Sequence, residues 1–305
     1  MKIRQYELGD EIAQVEIYNA ETAHRPAFKA ATVAEVTRRY GASTPDARTR
    51  LYAIENGAVV AYANCSPNGR ISYPWGAAEA REPLLEAALK ALKDQGAREA
   101  WVAYRADWSD VLEFFKTHGF RVSREIVNYV TEVSQLPRAQ PRENQAIRPL
   151  AKDELAGFLH SLTAAFGAQH ASRLEELFTD NPYLDASALF ALWERGRAAL
   201  LGLGLTVIRT GYADPTKIDP AMPCFRLGTF GTERERHKRV NGLVSFLFGE
   251  QQAGEALLAE AARRLEAAGV PHAAAQAPSD KPELCAFYDK HFKRQGSFPI
   301  LVRPL

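Results

Sequence analysis

The chain has 305 residues, of which 46% are apolar and 25% charged, values that suit a globular protein of about two domains. Lys plus Arg number 38 and Asp plus Glu 37, so the net charge of +1 sets up no global field for nucleic acid or an anionic membrane. Cys65, Cys224 and Cys285 are far apart and in no CxxC spacing, which argues against a disulfide framework or a structural zinc site and for a reducing compartment. Residues Met1 to Glu7 contain no apolar segment of a secretory leader, and no apolar run approaches the roughly 20 residues that span a bilayer. The expectation is a cytoplasmic protein.

In chain order, Ile3-Arg4 opens a strand and Asp10–Ala20 follows with a helical pattern. A second helix is expected near Thr32–Tyr40, then strands at Leu51–Ile54 and Val59–Ala63. Leu136 to Gln145 has two prolines and no apolar periodicity, so it reads as a linker. After it the order begins again: Ile147–Leu150, a helix over Asp153–Phe166, another over Ala171–Phe178, and strands at Ala188–Leu192 and Ala198–Val207. Arg209–Cys224 is an insertion relative to the first half, and Glu233–Arg239 is a mixed charge run that reads as a solvated turn or edge. A strand over 243–248 precedes a helix whose Leu257, Leu258, Ala261, Ala262 and Leu265 form one apolar stripe, with Gly269 as its C′ residue. A strand at Ala273–Ala277, a helix from Pro282 to about His291 and a last strand complete the chain.

This recurrence is an internal repeat. Residues 68–120 lie over 241–293 at a constant shift of 173 without a gap, and 15 of the 53 pairs are identical. Asn68-Gly69 falls on Asn241-Gly242, Leu84-Leu85 on Leu257-Leu258, Gly96 on Gly269, and His118 on His291. The fold class expected is α+β, with two tandem units over 1–138 and 139–305. Each would be a mostly antiparallel twisted sheet flanked by helices.

After the strand 243–248 stands Gln251-Gln252-Ala253-Gly254-Glu255-Ala256, at the opening of an amphipathic helix. Further on, Leu284 to Phe292 places Tyr288 on the last helix. The element order and these two segments resemble the GNAT superfamily, the Gcn5-related N-acetyltransferases, here as a tandem pair similar to mycothiol synthase-like proteins. In that family a Q/R-x-x-G-x-G/A loop cradles the pyrophosphate of acetyl-CoA, and 251–256 fits the pattern. A helix N-terminus offers unpaired N–H groups and partial positive charge to an anion, and a glycine permits close approach. The resemblance implies that Gln251, Gln252, Ala253, Gly254, Glu255 and Ala256 hold the phosphates, and that Phe246, Leu247 and Phe248 present a backbone edge to pantetheine. It also implies that Tyr288 protonates the departing thiolate after an amine attacks the thioester. The family's glycine-phenylalanine after the tyrosine is absent, since His291-Phe292 stands there.

The first half keeps the layout and departs in chemistry. Arg81 stands at Gly254, Pro83 at Ala256, Glu79 at Gln252 and Phe115 at Tyr288. It reads as a degenerate copy. Acetyl-CoA or another acyl-CoA is the implied co-substrate and a small-molecule amine the implied acceptor, with no membrane and no nucleic acid as partner. The residues do not single out a general base among Glu194, Glu233, Glu235 and His237. The alternative reading is a non-catalytic acyl-CoA sensor or interaction scaffold on the same duplicated fold.

Overall fold

The computed structural model describes residues 1–26, 30–34, 36–37, 49–150, 155–168, 188–195, 199–208 and 242–305. The first half runs β1 (Lys2–Gln5), α1 (Asp10–Thr22), β2 (Arg50–Glu55), β3 (Ala58–Asn64), β4 (Trp75–Gly76), α2 (Ala78–Asp94), β5 (Glu99–Ala103), α3 (Ser109–Thr117) and β6 (Arg121–Glu132). The second runs β7 (Gln145–Pro149), α4 (Leu155–Phe166), β8 (Leu189–Glu194), β9 (Ala199–Val207), β10 (Gly242–Phe248), α5 (Gln251–Ala267), β11 (His272–Pro278), α6 (Pro282–His291) and β12 (Lys293–Pro304). The expected helices at 32–40 and 171–178, the insertion 209–224 and the charge run 233–239 lie wholly or partly outside the described residues. Among the described residues no helix is long and apolar enough to cross a membrane.

Local chemistry accounts for the elements. β2 and β3 are joined by Asn56-Gly57, both at positive φ, the two-residue turn whose twist matches a hairpin. The stripe Leu84, Leu85, Ala88, Leu89 and Leu92 of α2 is buried, and so is its counterpart on α5, Leu257, Leu258, Ala261, Ala262 and Leu265. Each fully buried leucine contributes about 1.5–3 kcal/mol. Both helices end alike: Gly96 and Gly269 take positive φ, and Ala97 and Val270 donate their N–H back to the Leu92 and Leu265 carbonyls. That is the Schellman pattern, repeated at the same shift of 173. Pro282 is at the start of α6, where no N–H is needed.

The sheets are mixed α+β architecture with antiparallel pairing predominant. One sheet has the order β1-β2-β3-β4, all antiparallel. The other has the order β5-β12-β6-β11-β10-β9-β8-β7, in which only β10 and β11 run parallel. The last strand of each half is therefore exchanged. β6 pairs with β11 of the second half, β12 pairs with β5 of the first, and β6 and β12 pair with each other antiparallel. The two strands occupy corresponding positions in the repeat, so the centre of the large sheet is a pseudo-twofold axis.

The cores follow the exchange. The first-half core contains Leu301 from β12, alongside Tyr52, Trp75, Leu84 and Phe115. The core beneath α5 and α6 contains Val127 and Tyr129 from β6. A third cluster lies on the opposite face of the large sheet, where Phe158 and Leu162 of α4 pack on Leu203, Leu205, Leu243 and Ala274.

Candidate functional site

β10 and β11 separate after two paired residues. Their register includes only Gly242↔Ala273 and Leu243↔Ala274, while β10 stays paired with β9 as far as Phe248. Parallel strands that part in this way leave a backbone edge open on the inner side of β10. The matching point in the first half is the parallel bridge Arg70↔Trp101, the same pair shifted by 173. There Ile71 donates its N–H toward Trp101, so by the two-residue alternation of a strand the N–H groups of Tyr73 and, in the second half, Val244, Phe246 and Phe248 turn toward the opening.

Tyr288 of α6 lies at this opening. Its side chain is 0% exposed, and among the described residues its hydroxyl meets no partner at full hydrogen-bond geometry; the polar group it approaches is the backbone of Phe246. The ring packs against Phe246, Phe287, Phe292 and Tyr129, at centroid distances of 5.3 to 6.3 Å. Burial pushes the phenol pKa well above its ordinary value, so the group holds its proton at neutral pH. A buried hydroxyl without a partner costs free energy and calls for an explanation. At a parted strand edge, one explanation is a polar ligand group that completes the bond.

At the far end of β10 the start of α5 is left open. Among the described residues no side chain caps it, and the Ala253 and Gly254 N–H groups are satisfied by the Glu250 carbonyl. Gln251 and Gln252 are exposed, so their N–H groups are placed for an anion. Gly254 has a packing duty as well: a Cβ there would meet the Phe248 ring at 2.9 Å. Phe248 therefore packs against the helix start, with the Phe287 ring centroid 4.9 Å from its own. The Glu255 carboxylate turns to α6, 2.6 Å from Lys290 and 2.9 Å from His291. Burial opposes its charge, but the bonds from Lys290 and His291 prevail and hold its pKa below the usual carboxylate range. Arg142, from the linker, bonds the Gln252 side chain.

These residues fit an acyl-CoA at both ends of the cleft, through an orphaned hydroxyl and a free strand edge at one end and an uncapped helix start at the other. Leu247, between Phe246 and Phe248, faces the other side of the sheet and packs against the α4 cluster. Ala253 and Ala256 lie on the buried face of α5. Of the candidate bases, Glu194 ends β8, two strands away from β10, and Glu233, Glu235 and His237 lie outside the described residues.

In the first half the corresponding residues are bonded to one another. The Tyr104 hydroxyl accepts the Tyr73 N–H at 2.5 Å, the counterpart of the Phe246 N–H. Arg81 bonds Glu21 at 3.1 Å and the Gly76 carbonyl at 3.2 Å, and its guanidinium lies 5.4 Å from the Tyr73 ring centroid. Arg25 is held by Asp110 at 2.5 and 2.6 Å, against the rings of Trp75 and Trp108. Sequence reasoning identified Arg81 but passed over Tyr104. Its signal was present in the repeat, where an aromatic residue stands opposite Ala277.

Neither a protein-family model nor a curated protein matches the chain. Solved structures do. A GCN5-related N-acetyltransferase from Sphaerobacter thermophilus is similar over 99% of this chain and 95% of its own, with a TM-score of 0.65 at 16% identity. A tandem GNAT protein from the clavulanic acid biosynthesis pathway is similar over 99% of this chain and 98% of its own, with a TM-score of 0.59 at 11% identity. The fold is a GNAT fold. A GCN5-related glucosamine N-acetyltransferase region of a fungal multi-domain protein shares the GNAT architecture over 99% of this chain and 38% of that one, with a TM-score of 0.68 at 12% identity.

Proposed function

We propose that the chain is an acyl-CoA-dependent N-acyltransferase. It uses acetyl-CoA, acts on a small-molecule amine by direct transfer, and has its active site in the second of two units spanning 1–138 and 139–305. The observation that carries this reading is the unpartnered Tyr288 hydroxyl, buried at the parted edge of β10. Acetyl-CoA supplies an acyl group activated as a thioester. The N–H groups of Phe246 and Phe248 hold the donor along the strand edge, and the N–H groups of Gln251 and Gln252 face its phosphates. Tyr288, kept protonated by burial, delivers its proton to the departing thiolate, and the proton given up by the attacking amine restores the phenol. Phe246, Phe248, Phe287 and Phe292 keep water from the reacting atoms. The tandem GNAT protein supports the two-unit reading, and the glucosamine N-acetyltransferase region supports a small amine acceptor. In the first half the Tyr73 N–H is bonded to Tyr104 and the cleft is lined by Arg81, which supports a single donor site in the chain.

The test is thiol release from acetyl-CoA in the presence of small amines. The proposal expects amine-dependent release by the wild type, and loss of turnover with retained acetyl-CoA affinity in Tyr288→Phe. Acetyl-CoA binding with no release under any amine would support the sensor reading instead.

A further inference from the structure

The opening between β10 and β11 has a second side. Tyr288 lies on the α5/α6 face, with Phe246, Ala275 and Val127. On the α4 face the strand register places Ser245 of β10, Gln276 of β11 and Asn128 of β6. The Gln276 Nε2 donates to the Asn128 Oδ1 at 2.7 Å, and the two residues are direct register partners. Asn128 is only 4% exposed, whereas Ser245 is an exposed position in an otherwise buried stretch of β10. Around them Leu243, Leu247, Ala274, Ile126 and Val130 share the face, and none is charged. Among the described residues, no hydrogen bond is made by the Asn128 Nδ2 or to the Gln276 Oε1. Amides placed on an apolar face carry a desolvation cost unless their groups are bonded, and this pair keeps one donor group and one acceptor to offer.

We propose that the Asn128–Gln276 pair is the acceptor-recognition element of the transferase, a reading that rests on the proposed function. The pair binds a hydroxyl or amide group of a neutral, hydroxylated amine that enters from the α4 face, with Ser245 across the opening. The donor and the acceptor then approach the same strand edge from opposite faces. Asn128 comes from the exchanged strand of the first half, so the first half contributes a specificity residue to the second half's site while binding no donor itself.

The experiment uses the full chain, with glucosamine as the hydroxylated probe and cyclohexylamine as the apolar one. Amine KM and kcat are read from thiol release, and acetyl-CoA affinity from calorimetry. The wild type is expected to show the lower KM for glucosamine. Gln276→Met and Asn128→Leu should each raise that KM about three- to tenfold, as the loss of one hydrogen bond does. Acetyl-CoA affinity should stay unchanged, and the KM for cyclohexylamine should stay level or fall. If Asn128→Leu does not fold, Gln276→Met at its half-buried position decides alone. The assignment is overturned by an unchanged glucosamine KM in Gln276→Met, by preference for cyclohexylamine, or by acetylation of neither amine in a protein that binds acetyl-CoA. Each of those results leaves the donor site standing. Absence of acetyl-CoA binding by the wild type overturns both readings.

Discussion

Replacing Tyr288 by Phe removes one oxygen from a side chain that is 0% exposed. Among the described residues that oxygen meets no partner at full hydrogen-bond geometry, only the approach of the Phe246 backbone, so its loss breaks no well-formed bond. A buried unsatisfied polar group costs about 1–3 kcal/mol, and the variant recovers part of that. The ring contacts with Phe246, Phe287, Phe292 and Tyr129 remain. For a chain of this size, 1 kcal/mol moves Tm by roughly 1–3 °C, so the melting curve should stay in place or shift upward by about that amount. Turnover should fall by about 10²- to 10⁴-fold, the usual worth of a positioned proton donor, while acetyl-CoA affinity changes by less than about twofold. Differential scanning calorimetry, ligand calorimetry and a thiol-release assay read the three quantities on one preparation. Opposite movement of stability and turnover is the mark of a group kept for function at a structural cost. A drop in Tm beyond about 3 °C would show that the hydroxyl has a structural partner, and unchanged turnover would remove it from the chemistry.

Three further outcomes follow from the same geometry. Tyr104→Phe should do the reverse of Tyr288→Phe, because it strands the Tyr73 N–H: a loss of about 1–3 kcal/mol in denaturant unfolding, with donor affinity untouched. A weakened acetyl-CoA affinity in that variant would contradict the reading of the first half as a degenerate copy. Expressed separately, 1–138 and 139–305 should each lack a cooperative thermal transition and regain it on mixing, since β6 and β12 each pair with a strand of the other half. A sharp transition in 139–305 alone would refute this. Glu255→Gln should flatten the acid limb of the stability curve. The folded-state carboxyl titrates below its unfolded value, so its contribution is full above about pH 4.3 and is lost as pH falls through the depressed folded pKa. With Lys290 largely exposed, the contribution at neutral pH is under about 1 kcal/mol, and an identical pH profile for the two proteins would rule the contribution out.

Much of the fold was legible because the repeat is written in local signals. The buried stripe of α5, its C′ glycine Gly269 and the proline at the head of α6 depend on residues within one or two turns, and the structure places each where the pattern did, with Leu84, Leu85 and Gly96 of α2 following at the repeat's shift. The resemblance implied a backbone edge over Phe246–Phe248, and the pairing of β10 with β11 is limited to Gly242 and Leu243. The exchange of β6 and β12 was not legible. Both strands have the same neighbours in sequence whichever half they pair with, and only tertiary packing of Leu301 into one core and Tyr129 into another decides between them. For the same reason the Asn128–Gln276 pair, 148 residues apart, left no trace in either segment. Gly254 shows a subtler limit: the motif identifies a permissive backbone, while its contact with the Phe248 ring appears only in three dimensions.

The most direct test of the central claim is calorimetric titration of acetyl-CoA into the intact chain and into Gly254→Arg, which copies Arg81 of the first half. A Cβ at 254 already meets the Phe248 ring at 2.9 Å, so the arginine displaces Phe248 at the start of α5. The account predicts one site per wild-type chain and none in a variant whose circular dichroism remains native. Two sites in the wild type, one site retained in the variant, or no binding at all would contradict it.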